Sequence, residues 1–568
     1  MHIRTQKLRI AFLIVLLAFI LTGSILITPG YALNPREGYF ISGQLLDPQD
    51  QPISEAFITA TVPDEAEALG EAESQEEGTW VLVLAELPQE DVYITIERPH
   101  FQTTTIKLRE AELVELYENG VYRVGTLVLD RKIDASFWIA TVVFVVVLLL
   151  IAFELLHSTT AALAGFSTIF LVSYIGGAFN PDLFIMSFEA GIDYINWDVI
   201  FLVMGMMIIV AVIEGTGIFQ WLAFQAYRLS GGRSWLLVLI LMAITAVASA
   251  LLDNFTTMLL MTPISLQIAL ALGINPLAFI IPEVLASNVG GISTLVGTPT
   301  NIIIGAYADI SFTDFLVNQT VGVIIALLAM AAFILFHYRK DFRKSDAGIS
   351  PRLYEKLKAN AEIEEPEALW KSGIVFLLVL VGFIAGEQIH LDLAVTAIAG
   401  AVILLIWLKP DVHHMIKAVD WTTLVFFMAL FVVVGGIQEV GLISITADIM
   451  ARLIGDNLVL GIFVIVFGVG TVSTVIANIP LAASMLPIVE FLSGSIPGAS
   501  NKVLFYALSM GAAMGGNGTL IGGEANLVTA GITEQADNPI SFKAFAKVGL
   551  PVTYITLFVG FIWLLIKF

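Results

Sequence analysis

The chain contains no cysteine, which excludes disulfides, thiolate metal sites and a cysteine nucleophile and leaves the redox compartment open. Histidine is scarce, with 7 in all and no zinc spacing; His413 and His414 are adjacent in a loop, where solvated side chains are expected. Charge is thin as well. Only 13% of the residues are charged, against 57% hydrophobic and a mean hydropathy of +0.88, values that belong to polytopic membrane proteins. Basic residues are the scarcer sign, 27 Lys and Arg against 49 Asp and Glu, so a nucleic-acid partner is not expected. The imbalance is local: residues 36–134 hold 21 acidic and 7 basic residues, a net of −14. That segment reads as a soluble acidic domain. The apolar runs lack a Ser/His/Asp set or a metal triad, so the chain is not expected to be an enzyme.

What is present is a series of apolar runs. Residues 1–35 begin with basic residues and continue with an apolar stretch from about Ile10 to Ile27, which fits a signal peptide or an uncleaved anchor; in both cases the segment after it is exported. Residues 36–134 alternate in short β-rich runs such as "YFISGQLLD", "TWVLVLAEL" and "DVYITIER", separated by turn-forming "DPQDQP", and predict a small β-sandwich ectodomain. Its G-x-L-x-D…Q-P-I-x-x-A-x-I pattern resembles carboxypeptidase-regulatory or transthyretin-like modules. From residue 137 onward, segments near 137–156, 161–178, 197–215, 234–252, 255–272, 277–308, 315–337, 372–388, 391–408, 421–437, 457–475, 479–494, 502–533 and 546–567 are apolar enough for the membrane. The basic stretch 337–371, "KPDVHHMIK" and "YRLSGGR" are expected on the cytoplasmic side. An exported β-domain is compatible with those loops only if 234–272 and 457–494 enter and return on one side, as re-entrant hairpins.

An internal repeat stands behind this layout. "NWDVIFLVMGMMIIVAVIEGTGIF" from Asn196 lies on "DWTTLVFFMALFVVVGGIQEVGLI" from Asp420 at an offset of 224, which also pairs Ser249 with Ser473, Asn254 with Asn478 and Pro263 with Pro487. At 225, "GGISTLVGTPTN" lies on "GGNGTLIGGEAN". Chance likeness between apolar helices does not align Asn, Pro, Thr and three Gly. The expected fold is an all-α polytopic membrane protein with two inverted repeats (135–338 and 372–568, joined by a cytoplasmic linker at 339–371), each holding a re-entrant hairpin and a broken helix, behind the β-sandwich.

A broken span exposes backbone groups that cost several kcal/mol each in lipid, so it persists only against protein or a polar cavity. Gly290, Gly291 and Gly297 permit such a break and Pro299 can start its second half; Gly515, Gly516 and Gly522 repeat the pattern. Half-helix N-termini suit an anion and freed carbonyls a cation. The expected ion-binding set adds Ser293, Thr294, Thr298, Asn301, Asn517, Thr519, Glu524 and Asn526 from the breaks, with Asp253, Asn254, Thr256, Thr257 and Asn478 from the hairpin tips. Asp253, Glu283 and Glu524 are candidates to couple a proton or cation, because an intramembrane carboxylate is costly and usually functional. Asp253 also has a purely structural reading as a helix cap. Glu154, Glu214 and Glu439 complete the intramembrane carboxylates, the last two at span ends.

At these residues the chain resembles the ion transporter superfamily, in the group of pink-eyed-dilution (P) proteins, arsenite permeases and D-type sodium/proton antiporters. "SALLDNFTTMLLMTPI", "ASNVGGISTLVGTPTNIIIG" and "GGNGTLIGGEANLVTAGITEQ" carry the likeness, which extends over about 137–568. The resemblance implies two inverted repeats, a scaffold and a transport subdomain, a homodimer and elevator-type movement in a cell membrane. Two departures stand out. The family's Gly-Asp-Pro-Pro-Asn is Gly297-Thr298-Pro299-Thr300-Asn301 here, and its Asp-Asn-Ile-Pro is Ala477-Asn478-Ile479-Pro480. Glu524 stands where the family has a small residue. The expectation is a secondary transporter of a small inorganic or organic anion coupled to sodium or protons, without another cofactor. Sodium/proton antiport, arsenite-type efflux and a transport-dead receptor using the β-domain are the alternatives.

Overall fold

The computed structural model describes residues 38–48, 51–62, 68–85, 91–153, 155–343, 358 and 361–568. The expected leader, Glu154 and most of the linker lie outside them. The chain divides into two compact units, the first ending at Arg131.

In the first unit, β1 (Tyr39–Leu46) is hydrogen-bonded between β4 (Thr79–Leu84) and β7 (Val121–Val128), while a second sheet has the order β3 (Gly70–Glu73), β2 (Phe57–Thr61), β5 (Val92–Glu97), β6 (Thr104–Leu108). The period-2 pattern decides which faces meet. Trp80, Leu82 and Leu84 of β4 point inward, and Ile41 of β1 with Ile58, Ile94 and Ile96 of the other sheet joins them in one apolar core. One element was not expected: α1 (Glu110–Asn119), which ends at Gly120 with a left-handed φ of 70°.

The second unit is helical. Among the described residues, nine helices are long and apolar enough to cross a membrane. Its first part runs α2 (Ala135–Ala152), α3 (Ser158–Leu171, extended by a π-helical turn toward Phe179), a short α4 (Phe188–Asp193) and α5 (Trp197–Glu214). Then come α6 (Ile218–Ser230), α7 (Ser234–Leu251), α8 (Asn254–Ala271), α9 (Leu277–Gly290), α10 (Pro299–Ala308) and α11 (Phe312–His337). The second part runs α12 (Pro366–Gly386), α13 (Leu393–Leu408), α14 (Val412–Ala418), α15 (Trp421–Glu439) and α16 (Leu442–Ile454). It continues through α17 (Leu458–Phe463, carried on by a π-helical stretch to Val469), α18 (Asn478–Ser495), α19 (Val503–Gly515), α20 (Glu524–Gln535) and α21 (Phe542–Lys567).

The 224-residue offset is visible in the backbone. α5 and α15 both start at a Trp one residue after a capping side chain, Asn196 or Asp420. α8 and α18 have the same bounds once shifted, with an internal proline at the same turn, Pro263 and Pro487. Two amphipathic helices absent from the expected segments, α6 and α16, fill equivalent places. Each is entered through a left-handed glycine, Gly217 (φ 80°) or Gly441 (φ 86°), and left through another, Gly231 (φ 58°) or Gly455 (φ 59°).

Packing exchanges partners between the two parts. α5 packs on α13 and α15 on α3; α8 packs on α20 and α18 on α10. Within each part, the first arm of the α7–α8 or α17–α18 pair lies along the helix that leads into the break. The core is therefore built around the two breaks. His413 and His414 are exposed as expected, but on the short helix α14 and not in a loop, because Asp411 caps the helix through His413 N.

Candidate functional site

Both breaks fold by the same hydrogen bonds. α9 ends at Gly290, a 3-10 turn covers Gly291–Ser293, Thr294 is extended, and α10 begins at Pro299. α19 ends at Gly515, Thr519 is extended, and α20 begins at Glu524. Thr294 Oγ1 donates to the Ala250 carbonyl, and Thr519 Oγ1 donates to that of its counterpart Thr474. Ser249 Oγ donates to Ser287 O at 2.8 Å and Ser473 Oγ to Ala512 O at 2.7 Å. Asn301 Nδ2 reaches back to Ile292 O (3.1 Å) and Thr294 O (2.8 Å), as Asn526 Nδ2 does to Gly516 O (2.8 Å) and Thr519 O (2.9 Å). Carbonyls freed by the break are thus met by side chains of the same repeat, which makes it tolerable at membrane depth.

The glycines are needed for clearance. A Cβ on Gly297 would sit 2.4 Å from Gly291 O and 2.8 Å from Ser249 O; on Gly522 it would sit 2.7 Å from Gly516 O and 2.8 Å from Ser473 O. Gly290 and Gly515 face the backbones of Ala246 and Gly470 just as closely, each 2.4 Å from a carbonyl oxygen. These neighbours are backbone atoms, so a side chain there has nowhere to go.

The breaks are joined by buried amides. Asn254 Nδ2 donates to Asn288 Oδ1 at 2.9 Å, and Asn288 Nδ2 donates to Asn517 Oδ1 at 2.8 Å and Asn526 Oδ1 at 3.0 Å. Ser509 Oγ donates to Asn301 Oδ1 at 2.6 Å and is itself met by Gln319 Nε2 at 3.1 Å. Asn288, Ser509 and Gln319 were outside the expected set. Their signal was amide or hydroxyl character at mid-span, and Asn288 lies two residues before the first glycine pair.

Three carboxylates line one cavity beside the breaks. Asp253, Asp420 and Glu524 share it with Pro299, Phe255 and Met206, and no Lys or Arg belongs to the lining. Each stands at a helix N-terminus. Asp253 caps α8 through Thr256 N (2.7 Å), Asp420 caps α15 through Thr422 N (3.0 Å) and Thr423 Oγ1 (2.6 Å), and Glu524 opens α20. A neighbouring cavity shares Asp420 and Glu524 and adds His157 and Ala477. The cap expected of Asp253 is therefore present, and the same residue faces the cavity. Asp420, not among the expected residues, reads in sequence as nothing more than a span start.

Other expected residues lie apart. Glu283 is fully buried among α8 and α9, takes Ser265 Oγ at 2.7 Å, and lines neither cavity. Ser265 is 11 residues along α8 from Asn254, roughly 16 Å of helix. The hydroxyls of Thr257 and Thr298 are buried without a hydrogen bond among the described residues, and Ser293 enters through its carbonyl, which accepts from Thr320. Glu439 accepts from Tyr194 Oη at 2.8 Å.

Sequence comparison gives this geometry its family. A family model described as "Citrate transporter" matches residues 148–511, well over half of the chain. The chain belongs to the ion transporter superfamily. Within that citrate-transporter-like superfamily, a "46 kDa membrane protein" of Mycobacterium leprae is 38% identical over 76% of this chain and 98% of its own length. An uncharacterized transporter of Synechocystis is 34% identical over 74% of this chain and 94% of its own. The human P protein is 31% identical over 77% of this chain and 61% of its own, in agreement with the P-protein resemblance of the motifs. This superfamily member is a multi-pass membrane protein and a secondary transporter that moves a small ion or solute across the bilayer.

Proposed function

We propose that this transporter couples solute movement to sodium or protons, with Asp253 and Glu524 taking up the coupling cation and Asp420 facing them across the cavity. The observation that carries this is the lining: three carboxylates converge and no Lys or Arg joins them. Like charges gathered in low dielectric are tolerable only with a proton or cation among them. Helix N-termini at all three residues offset part of that charge without reversing it. The lining shifts the balance from the anion symport expected of the sequence toward cation-coupled exchange. At about 30 Å³ the cavity has room for a small ion and not for a tri-anion such as citrate, to which it also offers no basic side chain.

In the same reading, residues 36–134 are an extracytoplasmic domain, and 135–338 and 372–568 are inverted repeats with re-entrant hairpins at α7–α8 and α17–α18. The reciprocal packing of α8 on α20 and α18 on α10 supports a two-fold relation between the repeats. The hairpins and broken helices form the moving part of an elevator in a cell membrane, and a homodimer supplies the fixed frame. Coupling is tested in proteoliposomes carrying a lumenal pH dye: an imposed sodium gradient should move protons, and Asp253→Asn and Glu524→Gln should suppress the movement. Vesicles in which sodium and proton gradients neither drive each other nor drive uptake from a panel of organic and inorganic anions would remove the proposal.

A further inference from the structure

A carboxamide donates only from nitrogen and accepts only at oxygen, so its partners dictate which way it points. The direction is set from the second break. Asn526 Nδ2 is committed to the carbonyls of Gly516 and Thr519, at 2.8 and 2.9 Å, which turns its Oδ1 toward Asn288. Asn517 Nδ2 donates to Leu285 O at 3.1 Å, so its Oδ1 also faces Asn288. Two oxygens converge and require the NH2 of Asn288. Its own oxygen then faces Asn254 and accepts from Nδ2 at 2.9 Å. Carbonyls that can only accept thus impose one direction on the whole relay, and the last amide presents its oxygen. Asn254 is 6% exposed, and its Oδ1 accepts no hydrogen bond among the described residues.

The second repeat supplies a control within the molecule. Asn478 is the counterpart of Asn254, yet Ala513 stands at the counterpart of Asn288, and no hydrogen bond orients the Asn478 side chain among the described residues. The same amide is aimed in one half and left unaimed in the other.

We propose that Asn288 is a positioning residue: by engaging the Asn254 nitrogen it leaves the Asn254 oxygen free to ligate a sodium ion, and it makes that orientation depend on the folded second break. The assignment rests on the cation-coupled function above. Sodium is the occupant because an amide oxygen ligates a hard cation and does not titrate, whereas a proton would go to the carboxylates. Since Asn526 and Asn517 are held by backbone carbonyls at the second break and on α9, a shift in that break would release Asn288 and let the Asn254 amide flip, putting its NH2 where the oxygen stood, which repels a cation. One repeat therefore reads the state of the other through four side chains.

The test is thermal unfolding of the purified full-length protein in increasing NaCl, with choline chloride holding ionic strength constant. A bound ligand raises the unfolding temperature by mass action, so the sodium concentration giving half the rise reports affinity. In Asn288→Ala that concentration should rise about tenfold or more, the usual effect of losing an outer partner of a metal ligand. Asn288→Asp keeps the shape but cannot donate to Asn517 and Asn526, and should shift it at least as far. Asn288→Ser, which keeps a single donor, should fall between and serves if the alanine variant is not recovered folded. Variants that unfold at lower temperature in choline yet keep the wild-type sodium dependence would make Asn288 merely structural and overturn the assignment alone. A wild type indifferent to sodium would overturn sodium coupling, and the assignment with it.

Discussion

The two repeats share a backbone and differ in chemistry. Glycine for glycine, carbonyl for carbonyl, the breaks after α9 and α19 are built alike, down to Thr294 and Thr519 anchoring on Ala250 and Thr474. The polar side chains around them are not. Asp253, Asp420 and Glu524 line one cavity, while their counterparts are Ala477, Asn196 and Pro299. The buried Glu283, Ser265 and Thr245 correspond to Leu508, Val489 and Val469. Symmetry is kept where the chain must be shaped to break inside a membrane, and given up where carboxylates gather around one cavity. Cation chemistry, in the proposed function, is concentrated at one place instead of being duplicated.

That comparison can be broken in four ways, beginning with the largest effect. Gly297→Ala or Gly522→Ala should collapse either repeat equally, because the new Cβ meets backbone oxygens at 2.8 Å or less. Overpacking of this kind costs about 1–3 kcal/mol or more, and the yield of folded protein in detergent should fall along with transport. Next, Asp253→Asn should abolish sodium- or proton-driven flux, whereas Ala477→Asp should not restore it in that background; recovery by Ala477→Asp would show the two halves to be interchangeable. Ser249→Ala and Ser473→Ala should each cost about 1 kcal/mol of stability, and to a similar extent, since each removes one buried hydrogen bond. Smallest of all, replacing Glu283, Ser265 and Thr245 together by Leu, Val and Val should leave the unfolding free energy within about 1 kcal/mol and transport intact, because apolar groups of similar shape can replace a whole polar cluster. Loss of transport in that triple variant would return Glu283 to the coupling machinery.

Much of the architecture was legible in the sequence because lipid is a strict solvent: every span must be long and apolar, and each expected segment from 137 onward corresponds to a helix or a broken pair. The breaks were legible because the same glycines, Gly290/Gly515, Gly291/Gly516 and Gly297/Gly522, recur at one offset. α6 and α16 escaped notice because a short amphipathic helix lacks a continuous apolar run; the left-handed glycines that bracket both were their only mark. α1 was hidden in a stretch read as strand and turn. The site was half legible. Asn288 has Ala513 as its counterpart and stands on the continuous part of α9, so neither the repeat nor the break marks it in the sequence. The convergence of Asp253, Asp420 and Glu524 could not be read locally, since three helix starts far apart in the chain meet only when the helices pack.

The clearance at the glycines bears on how such a molecule can change over generations. Any replacement at Gly290, Gly297, Gly515 or Gly522 adds a Cβ against backbone, so these positions are closed to every other residue in this fold. Everything between them stays open to experiment. One half can then carry carboxylates that the other lacks, and the likeness between them stays written in the residues that have no side chain to vary.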